Sequence, residues 1–218
     1  MDTYHTPHGL AAFAHDLILS PSAPRLGPFL AAWPTPALTT PESPVAAQAS
    51  DTESTFPVIE WLPHIARQHH LFAAPLISAL CRVAPGLAWR QTYARNELGA
   101  DFMSSYAYTE ILGPRAPLAS DRIACGFLLL GPSTLYPRHR HEAEEIYVTL
   151  TGGARWQQGD DVWRERAAGS VIHHASEEPH AMHTAERPLL AMYLWRSADL
   201  NQTARLDSTE TPKARATV

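Results

Sequence analysis

Short segments with alternating apolar and polar residues fill the second half of the chain. They begin after Pro85-Gly86, and Gly, Pro and Asp residues separate them. Such period-two alternation is typical of half-buried β-strands. Many short strands at close spacing predict an all-β sandwich or barrel. The predicted strands are residues 87–93, 102–112, 122–130, 136–141, 145–152, 154–158, 161–167, 170–174, 180–184 and 188–196.

Two glycine-containing pairs mark the tightest breaks in this series. Gly152-Gly153 precedes the predicted strand at 154–158, and Gly159-Asp160 follows it. Since two-residue hairpin turns favour Gly paired with Gly, Asn or Asp, we predict a β-hairpin at each pair.

The first 84 residues have a different character. Residues 9–20 and 58–81 carry apolar side chains at helical spacing, with kinks expected at Pro63 and Pro75. Residues 21–50 are rich in Pro, Ala, Ser and Thr, which predicts an irregular segment because proline blocks helix continuation. We therefore divide the chain into an N-terminal helical and Pro-rich extension (1–84), a β-barrel (85–200) and a polar tail (201–218) expected to fray.

Composition argues against several classes of partner and compartment. The formal net charge of −5 comes without a basic stripe, which disfavours nucleic acid. Cys81 and Cys125 are too few for a disulfide framework or a thiolate zinc site. Residues 1–20 lack the pattern of a signal peptide, and no apolar run approaches the roughly 20 residues that span a bilayer. We expect a cytoplasmic protein without a membrane segment, as a monomer or a homodimer.

Half of the histidines cluster in one region of the chain. Six of the twelve lie between residues 139 and 183. Side chains of a strand alternate between faces, so residues of equal parity share a face. His139, His141, Glu145 and Tyr147 are all odd-numbered. If the intervening turn preserves parity, two imidazoles, a carboxylate and a phenol converge on one interior.

The even-numbered positions of this region should face the other way. Ile146, Val148 and Leu150 are apolar, which suits packing against a second layer, and Glu144 is expected to point outward. Polar residues inside a barrel and apolar residues outside reverse the usual arrangement. This reversal indicates that the interior holds a functional site.

A divalent metal is the simplest reason to gather such groups. Imidazole nitrogens and a carboxylate suit zinc, iron, manganese or nickel, with zinc preferred here. One hairpin cannot enclose an ion, so a further ligand should come from a distant strand. His180 follows a turn-forming Pro179 and opens a strand, which makes it the favoured candidate. His174 and His183 are the alternatives.

The same residues carry a family resemblance. The spacing of His139, His141, Glu145 and Gly152 resembles the first motif of the cupins, whose fold is a double-stranded β-helix barrel. Gly169 and His180 resemble a degenerate second motif. More narrowly, the chain resembles the cupin-type dimethylsulfoniopropionate lyases over roughly residues 56–200. The matching runs are YAYTEILGP (106–114), YPRHRHEAEEIY (136–147), PHAM (179–182) and LLAMYLW (189–195).

This resemblance implies cleavage of dimethylsulfoniopropionate, a small zwitterion, to dimethyl sulfide and acrylate. It implies that His141, Glu145 and His180 bind the metal and that Tyr147 is a ligand able to act as base. It also places Tyr136, His139 and Trp195 around the substrate. His139 therefore has two open roles, as a further metal ligand or as a group nearer the proton transfer.

The chemistry of that reaction fits the residues. A β-elimination removes a weakly acidic proton next to a carboxylate, and a bound cation would offset the developing charge. Tyr147 is the favoured base because metal proximity lowers the pKa of a phenol, with Tyr136 or His139 next. A sulfonium offers no hydrogen-bond donor, so aromatic faces are its natural partners. Tyr193 and Trp195, of equal parity on the last predicted strand, are expected to supply them.

Two other functions fit the same motifs. One is another metal-dependent cupin enzyme, a dioxygenase or isomerase, acting on a small carboxylate. The other is a cupin that binds or senses a small molecule, although the N-terminal region shows no basic recognition helix.

Overall fold

Two antiparallel β-sheets with helices packed on one of them make up the fold. The computed structural model describes residues 6–19, 26–34, 56–68 and 72–207. Sheet A has the strand order β1-β2-β3-β10-β5-β8, and sheet B has the order β11-β4-β9-β6-β7. The strands are β1 Trp89–Arg90, β2 Tyr106–Leu112, β3 Ala124–Leu130, β4 Leu135–Arg140, β5 Glu144–Thr149, β6 Ala154–Gln158, β7 Arg164–Arg166, β8 Val171–His174, β9 His180–His183, β10 Leu189–Arg196 and β11 Arg205–Leu206.

The helices lie mainly before the strands in the chain. They are α1 Pro7–Leu19, α2 Gly27–Ala32, α3 Trp61–Ala66, α4 Ala74–Val83 and α5 Arg95–Ser104, with 3₁₀ turns at Pro57–Glu60 and Ala84–Gly86. The predicted helix at 58–81 is divided, and Pro75 lies in the first turn of α4, where its missing N–H has no intrahelical partner to lose. None of the described helices is long and apolar enough to cross a membrane.

Sheet A separates two apolar clusters. Its outer face joins α1–α4 in one core, in which Leu10 and Phe29 pack with Ile146, Val148 and Leu150. The even-numbered residues of β5 therefore meet a second layer, as predicted. Its inner face joins sheet B in a second cluster with many aromatic rings, which fills the barrel interior.

The strand series is correct from residue 122 onward, and the earlier part needs correction. The predicted strand 102–112 begins only at Tyr106, because its first residues end helix α5. The Glu97 carboxylate accepts a hydrogen bond from the Ala94 N–H at 2.7 Å, which caps that helix. The predicted strand 87–93 shrinks to β1, since the Gln91 side chain donates to the carbonyl oxygens of Met103 and Tyr106 instead.

One predicted hairpin is confirmed and the other is wrong. β6 and β7 pair across the turn at Gly159. Gly152-Gly153, by contrast, connects β5 of sheet A to β6 of sheet B, so the chain changes sheet there instead of folding back. Gly153 has a φ of 92°, which favours glycine at this crossing.

The segment after β10 is more ordered than its polar sequence suggested. β11 pairs with β4, and the Asp207 N–H donates to the Arg138 carbonyl at 2.9 Å. We call residues 200–207 the C-terminal strap. The remainder of the predicted frayed tail, 208–218, lies outside the described residues. So does most of the Pro-rich segment 21–50, although its described part contains α2, with Pro28 in the first turn.

Candidate active site

Three side chains that the sequence singled out meet inside the barrel. The ligand atoms of His141, Glu145 and His180 all lie within 4.8 Å of one another, and all three residues are buried. His141 follows β4, Glu145 lies on β5 and His180 begins β9. Both sheets therefore contribute to the cluster, and residues distant in sequence share one point in space.

The hydrogen bonds of the two imidazoles fix which nitrogen faces the cluster. His141 Nδ1 lies 2.9 Å from the Ala143 carbonyl, and His180 Nδ1 lies 2.9 Å from the Glu178 carbonyl. Because a carbonyl only accepts, each Nδ1 carries the proton, and the Nε2 of a neutral ring presents a lone pair. These Nε2 atoms lie 3.0 Å and 3.3 Å from the same Glu145 oxygen, Oε2.

Two nitrogen lone pairs and a carboxylate oxygen aimed at one point repel one another unless a proton or a metal cation lies between them. The buried His180 Nε2 has no hydrogen-bond partner among the described residues, which is the condition of a ligand atom. Backbone carbonyls that orient ligating histidines in this way are typical of protein metal sites. The donor set of two nitrogens and one oxygen fits a divalent transition metal.

The charges of His141 and Glu145 shift each other's pKa values in opposite directions. Burial favours the neutral form of His141, but the neighbouring Glu145 carboxylate outweighs it and raises the pKa of the imidazole. Burial likewise opposes ionisation of Glu145, yet His141 and His180 hold the pKa of that carboxyl well below its usual range. Glu145 is therefore a carboxylate at neutral pH and attracts positive charge.

Tyr147 and Trp195 flank Glu145 on the same face of sheet A. Trp195 lies directly opposite Glu145 on β10 and donates its indole N–H to Glu145 Oε1 at 2.6 Å. Tyr147, two residues beyond Glu145, is buried and packs on Trp156 at 4.9 Å between ring centroids. Burial, and then the Glu145 charge, raise the pKa of Tyr147 well above its ordinary value.

His139 and Tyr136 lie beside the cluster without joining it. Their rings stack at 3.9 Å, and His139 Nδ1 lies 2.8 Å from the Pro137 carbonyl. Strand parity alone places these two residues on opposite faces. A bulge in β4 between them, where Tyr136 pairs with Met182 and His139 with His180, inserts one residue and turns both inward.

The alternative histidines occupy other positions. His174 is fully buried, and its ring stacks on His180 at 3.9 Å, but it is not part of the three-residue cluster. His183 is half-buried, three residues beyond the buried His180 and next to the buried Met182 on β9. Glu144 lies on the outer side, where it bonds to His173 at 2.7 Å.

One pocket is lined by all the predicted site residues except His180, together with several residues that sequence reasoning missed. Its lining includes Tyr136, His139, His141, Glu145, Tyr147, Tyr193 and Trp195. The missed residues are Tyr108, Glu110 and Arg115 around β2 and residues 202–204 of the C-terminal strap. Glu110 had a usable signal, because it is the one charged residue in the otherwise uncharged run YAYTEIL. The strap had none, since its sequence is polar and without periodicity.

A closed pair of antiparallel sheets around a buried cluster of two histidines and a glutamate defines a cupin. The sequence model of the dimethylsulfoniopropionate lyase family matches residues 38–191. The chain therefore belongs to the dimethylsulfoniopropionate lyase family.

Individual relatives agree with this assignment. The chain is 40% identical over 108 residues to dimethylsulfoniopropionate lyase DddQ of Ruegeria pomeroyi, an alignment that covers 50% of this chain and 54% of the relative. It is 38% identical over 128 residues to putative dimethylsulfoniopropionate lyase DddL of Cereibacter sphaeroides, covering 57% and 53%. The chain thus spans about half the length of each of these relatives.

Solved structures extend the similarity to nearly the whole chain. The crystal structure of DddQ from Ruegeria pomeroyi superposes with a TM-score of 0.75 and 29% identity, over 94% of this chain and 97% of that one. A chain from the crystal structures of the lyases RdDddP and RnDddQII gives a TM-score of 0.74 and 28% identity, over 91% and 95%.

Proposed function

We propose that this protein is a metal-dependent lyase that cleaves dimethylsulfoniopropionate to dimethyl sulfide and acrylate by β-elimination. The observation that carries the proposal is the buried cluster of His141, Glu145 and His180, of which His141 and Glu145 line one pocket with Tyr147. We infer the substrate from the membership of the chain in the lyase family. The pocket supplies the groups that an elimination next to a carboxylate requires.

His141, Glu145 and His180 would hold one divalent ion, with zinc the preferred candidate and iron, manganese or nickel the others. Their nitrogen and oxygen atoms match zinc, and no cysteine lines the pocket. A bound cation would neutralise the substrate carboxylate and stabilise the enolate-like charge that develops when the α-proton leaves. Trp195 keeps the Glu145 carboxylate oriented through its indole N–H.

Tyr147 is the proposed base, and it also lies close enough to Glu145 to serve as a further ligand. In the absence of a cation, burial and the Glu145 charge keep the phenol protonated. Positive charge at the cluster acts in the opposite direction and favours the phenolate. The proton from the α-carbon then passes to the Tyr147 oxygen, and the sulfide leaves with the bonding electrons.

Tyr136 and His139 form the neighbouring proton-transfer pair in this proposal. Their stacked rings line the pocket, and the Tyr136 hydroxyl lies 3.3 Å from that of Tyr93. His139 stands outside the three-residue cluster, so we assign it to proton transfer instead of metal binding. Tyr193 and Trp195 supply the aromatic faces for the sulfonium.

We also propose a division of the chain into three segments and a location in the cell. We divide it into a helical and Pro-rich extension (1–84), the barrel (85–200) and the tail (201–218). A cytoplasmic location agrees with the unpaired state of Cys81 and Cys125.

The decisive experiment is headspace detection of dimethyl sulfide from purified protein of known metal content, given dimethylsulfoniopropionate with and without a chelator. Release that stops with chelator and returns with added metal is the expected result. Metal-loaded protein that releases no dimethyl sulfide would contradict the proposal and direct the search to other small carboxylates. Turnover that requires ferrous iron and oxygen would indicate a dioxygenase instead.

A further inference from the structure

A second charged group lies at the far side of the pocket from the metal-binding cluster. Glu110 on β2 is 3% exposed and lines the same pocket as Glu145 and Tyr147. A carboxylate this buried is rare unless paired. The lyase chemistry proposed above uses no acid at this position, so its presence needs another reason.

The position of Glu110 follows from the register of sheet A. Glu110 pairs with Gly126, Gly126 with Tyr193 and Tyr193 with Tyr147, so these residues form one row across four strands. Residues in such a row share the inner face. Three strand spacings, about 14 Å between backbones, separate Glu110 from Tyr147. Their side chains close part of that gap, with the Tyr193 ring between them.

Gly126 lies between Glu110 and Tyr193 in this row. A Cβ atom there would lie 1.9 Å from the Thr109 carbonyl oxygen and 2.6 Å from the Tyr193 hydroxyl. The missing side chain lets the Tyr193 ring lie over β3, with its hydroxyl donating to the Thr109 carbonyl at 3.4 Å. Burial and the Glu110 charge raise the pKa of Tyr193 well above its ordinary value, which is consistent with this proximity.

Arg115 is the partner of Glu110 and opposes the effect of its burial. The Arg115 N–H donates to Glu110 Oε1 at 2.8 Å, but the Arg115 guanidinium lies 3.5 Å from Oε2. A charge-assisted hydrogen bond is closer to 2.8 Å. The same guanidinium nitrogen also donates to the Leu200 carbonyl at 3.4 Å. Burial raises the pKa of the Glu110 carboxyl, and these contacts with Arg115 act against that rise and favour the carboxylate.

We infer that Glu110 determines specificity for the cationic end of the substrate. The inference rests on the proposed lyase function, which places the substrate carboxylate at the metal cluster. The pocket then has a positive end at the cluster, the aromatic rings of Tyr193 and Tyr108 in the middle and a negative end at Glu110. Such an arrangement matches a zwitterion, because a buried carboxylate acts over several ångströms in a medium of low dielectric constant.

The test compares two carboxylates of the same shape by calorimetric titration of the metal-loaded protein. One is 3-(trimethylammonio)propionate, which carries a quaternary ammonium at the end opposite its carboxylate. The other is 4,4-dimethylpentanoate, in which an uncharged carbon replaces that nitrogen. The unmodified protein should bind the cationic compound more tightly. Glu110→Gln should reduce that preference about tenfold, because it removes the charge and keeps an oxygen for the Arg115 N–H. Arg115→Lys should leave the preference unchanged, because it keeps both the cation beside Glu110 and the backbone N–H.

An unchanged preference in Glu110→Gln overturns the inference. So does an equal decrease in Glu110→Gln and Arg115→Lys, which would mean that the contact with the strap at Leu200, and not the charge of Glu110, sets the preference. If Glu110→Gln fails to fold, an unmodified protein that binds the two compounds equally overturns it by itself.

Kinetics separate this inference from the lyase proposal. Dimethyl sulfide leaves without charge, so Glu110 stabilises the bound substrate more than the transition state. Glu110→Gln should therefore raise KM for dimethylsulfoniopropionate about tenfold without lowering kcat. If the unmodified protein releases no dimethyl sulfide, the lyase proposal fails, while the binding preference still reports on Glu110.

Discussion

Glu144 and Glu145 are adjacent in sequence and have opposite environments. Glu145 is fully buried against His141, His180 and Trp195, whereas Glu144 bonds to His173 on the outer side of sheet A. Strand parity alone makes this difference, and it was readable from the sequence. The pair therefore offers a matched test of the metal site.

Glu145→Gln should lower the metal content of the purified protein at least tenfold, because the amide lacks the charge that the cation requires. Glu144→Gln, one position away, should leave it unchanged. Metal analysis after dialysis measures both. Equal metal content in the two variants would show that Glu145 is not a ligand.

Tyr147→Phe should retain most of the metal and lose dimethyl sulfide production, with kcat lower by about 10²–10⁴-fold, the usual contribution of a general base. The ring remains to pack on Trp156, so the barrel should stay folded. Tyr136→Phe removes the other phenol beside the cluster and tests Tyr136 as the alternative base. Normal turnover by Tyr147→Phe, with activity lost in Tyr136→Phe, would move the base to Tyr136.

Two features of the backbone, a bulge in β4 and the register of sheet A, could not be predicted from the sequence. Parity correctly grouped His141 with Glu145, but it could not place Tyr136 next to His139. The β4 bulge that turns both inward depends on pairing with β9, more than 40 residues later. Similarly, Glu110 joins the pocket only through three cross-strand pairings. Such long-range register is absent from local periodicity.

Among the elements, the C-terminal strap departs most from its sequence pattern. Its order comes from specific contacts with partners elsewhere: β11 pairs with β4, and Arg138 Nε donates to Asp207 Oδ2 at 3.0 Å. The strands of the barrel, by contrast, combine periodicity with burial, and their prediction is confirmed from β3 to β10. Helix α5 was missed because its fold depends on capping and on a break at Gly99 instead of on an apolar stripe.

Asp207→Ala should loosen the strap, because it leaves the largely buried Arg138 guanidinium without this partner. Amide hydrogen exchange in residues 205–207 should become about tenfold faster. Asp160→Ala removes the other carboxylate on Arg138, a fully exposed one, and should have little effect. Equal exchange in the two variants would mean that backbone pairing alone holds the strap.

At the scale of the whole molecule, the helices and the barrel share one core. α1 contacts β2 and α2 contacts β10, and the apolar residues between them form a single cluster with the outer face of sheet A. The division at residue 84 that we drew from the sequence therefore does not separate two independent cores. Periodicity could identify the helices but not the face on which they pack.

Leu10→Ala should lower the free energy of unfolding by about 2–5 kcal/mol, the usual effect of truncating a fully buried leucine. Far-ultraviolet circular dichroism and tryptophan fluorescence should follow the same thermal transition, because helices and barrel unfold together. Leu19→Ala, at a half-exposed position at the end of the same helix, should have little effect. Two separate transitions would instead indicate an independent helical unit.

The strap also has a consequence for the order in which the protein is made. All three proposed metal ligands and all strands of the barrel except β11 precede residue 200 in the chain. The ribosome therefore releases His141, Glu145 and His180 before residues 202–204, which complete the pocket wall. Residues 202–204 are therefore the last part of the pocket lining to be synthesised, and they are held beside β11, an edge strand of sheet B.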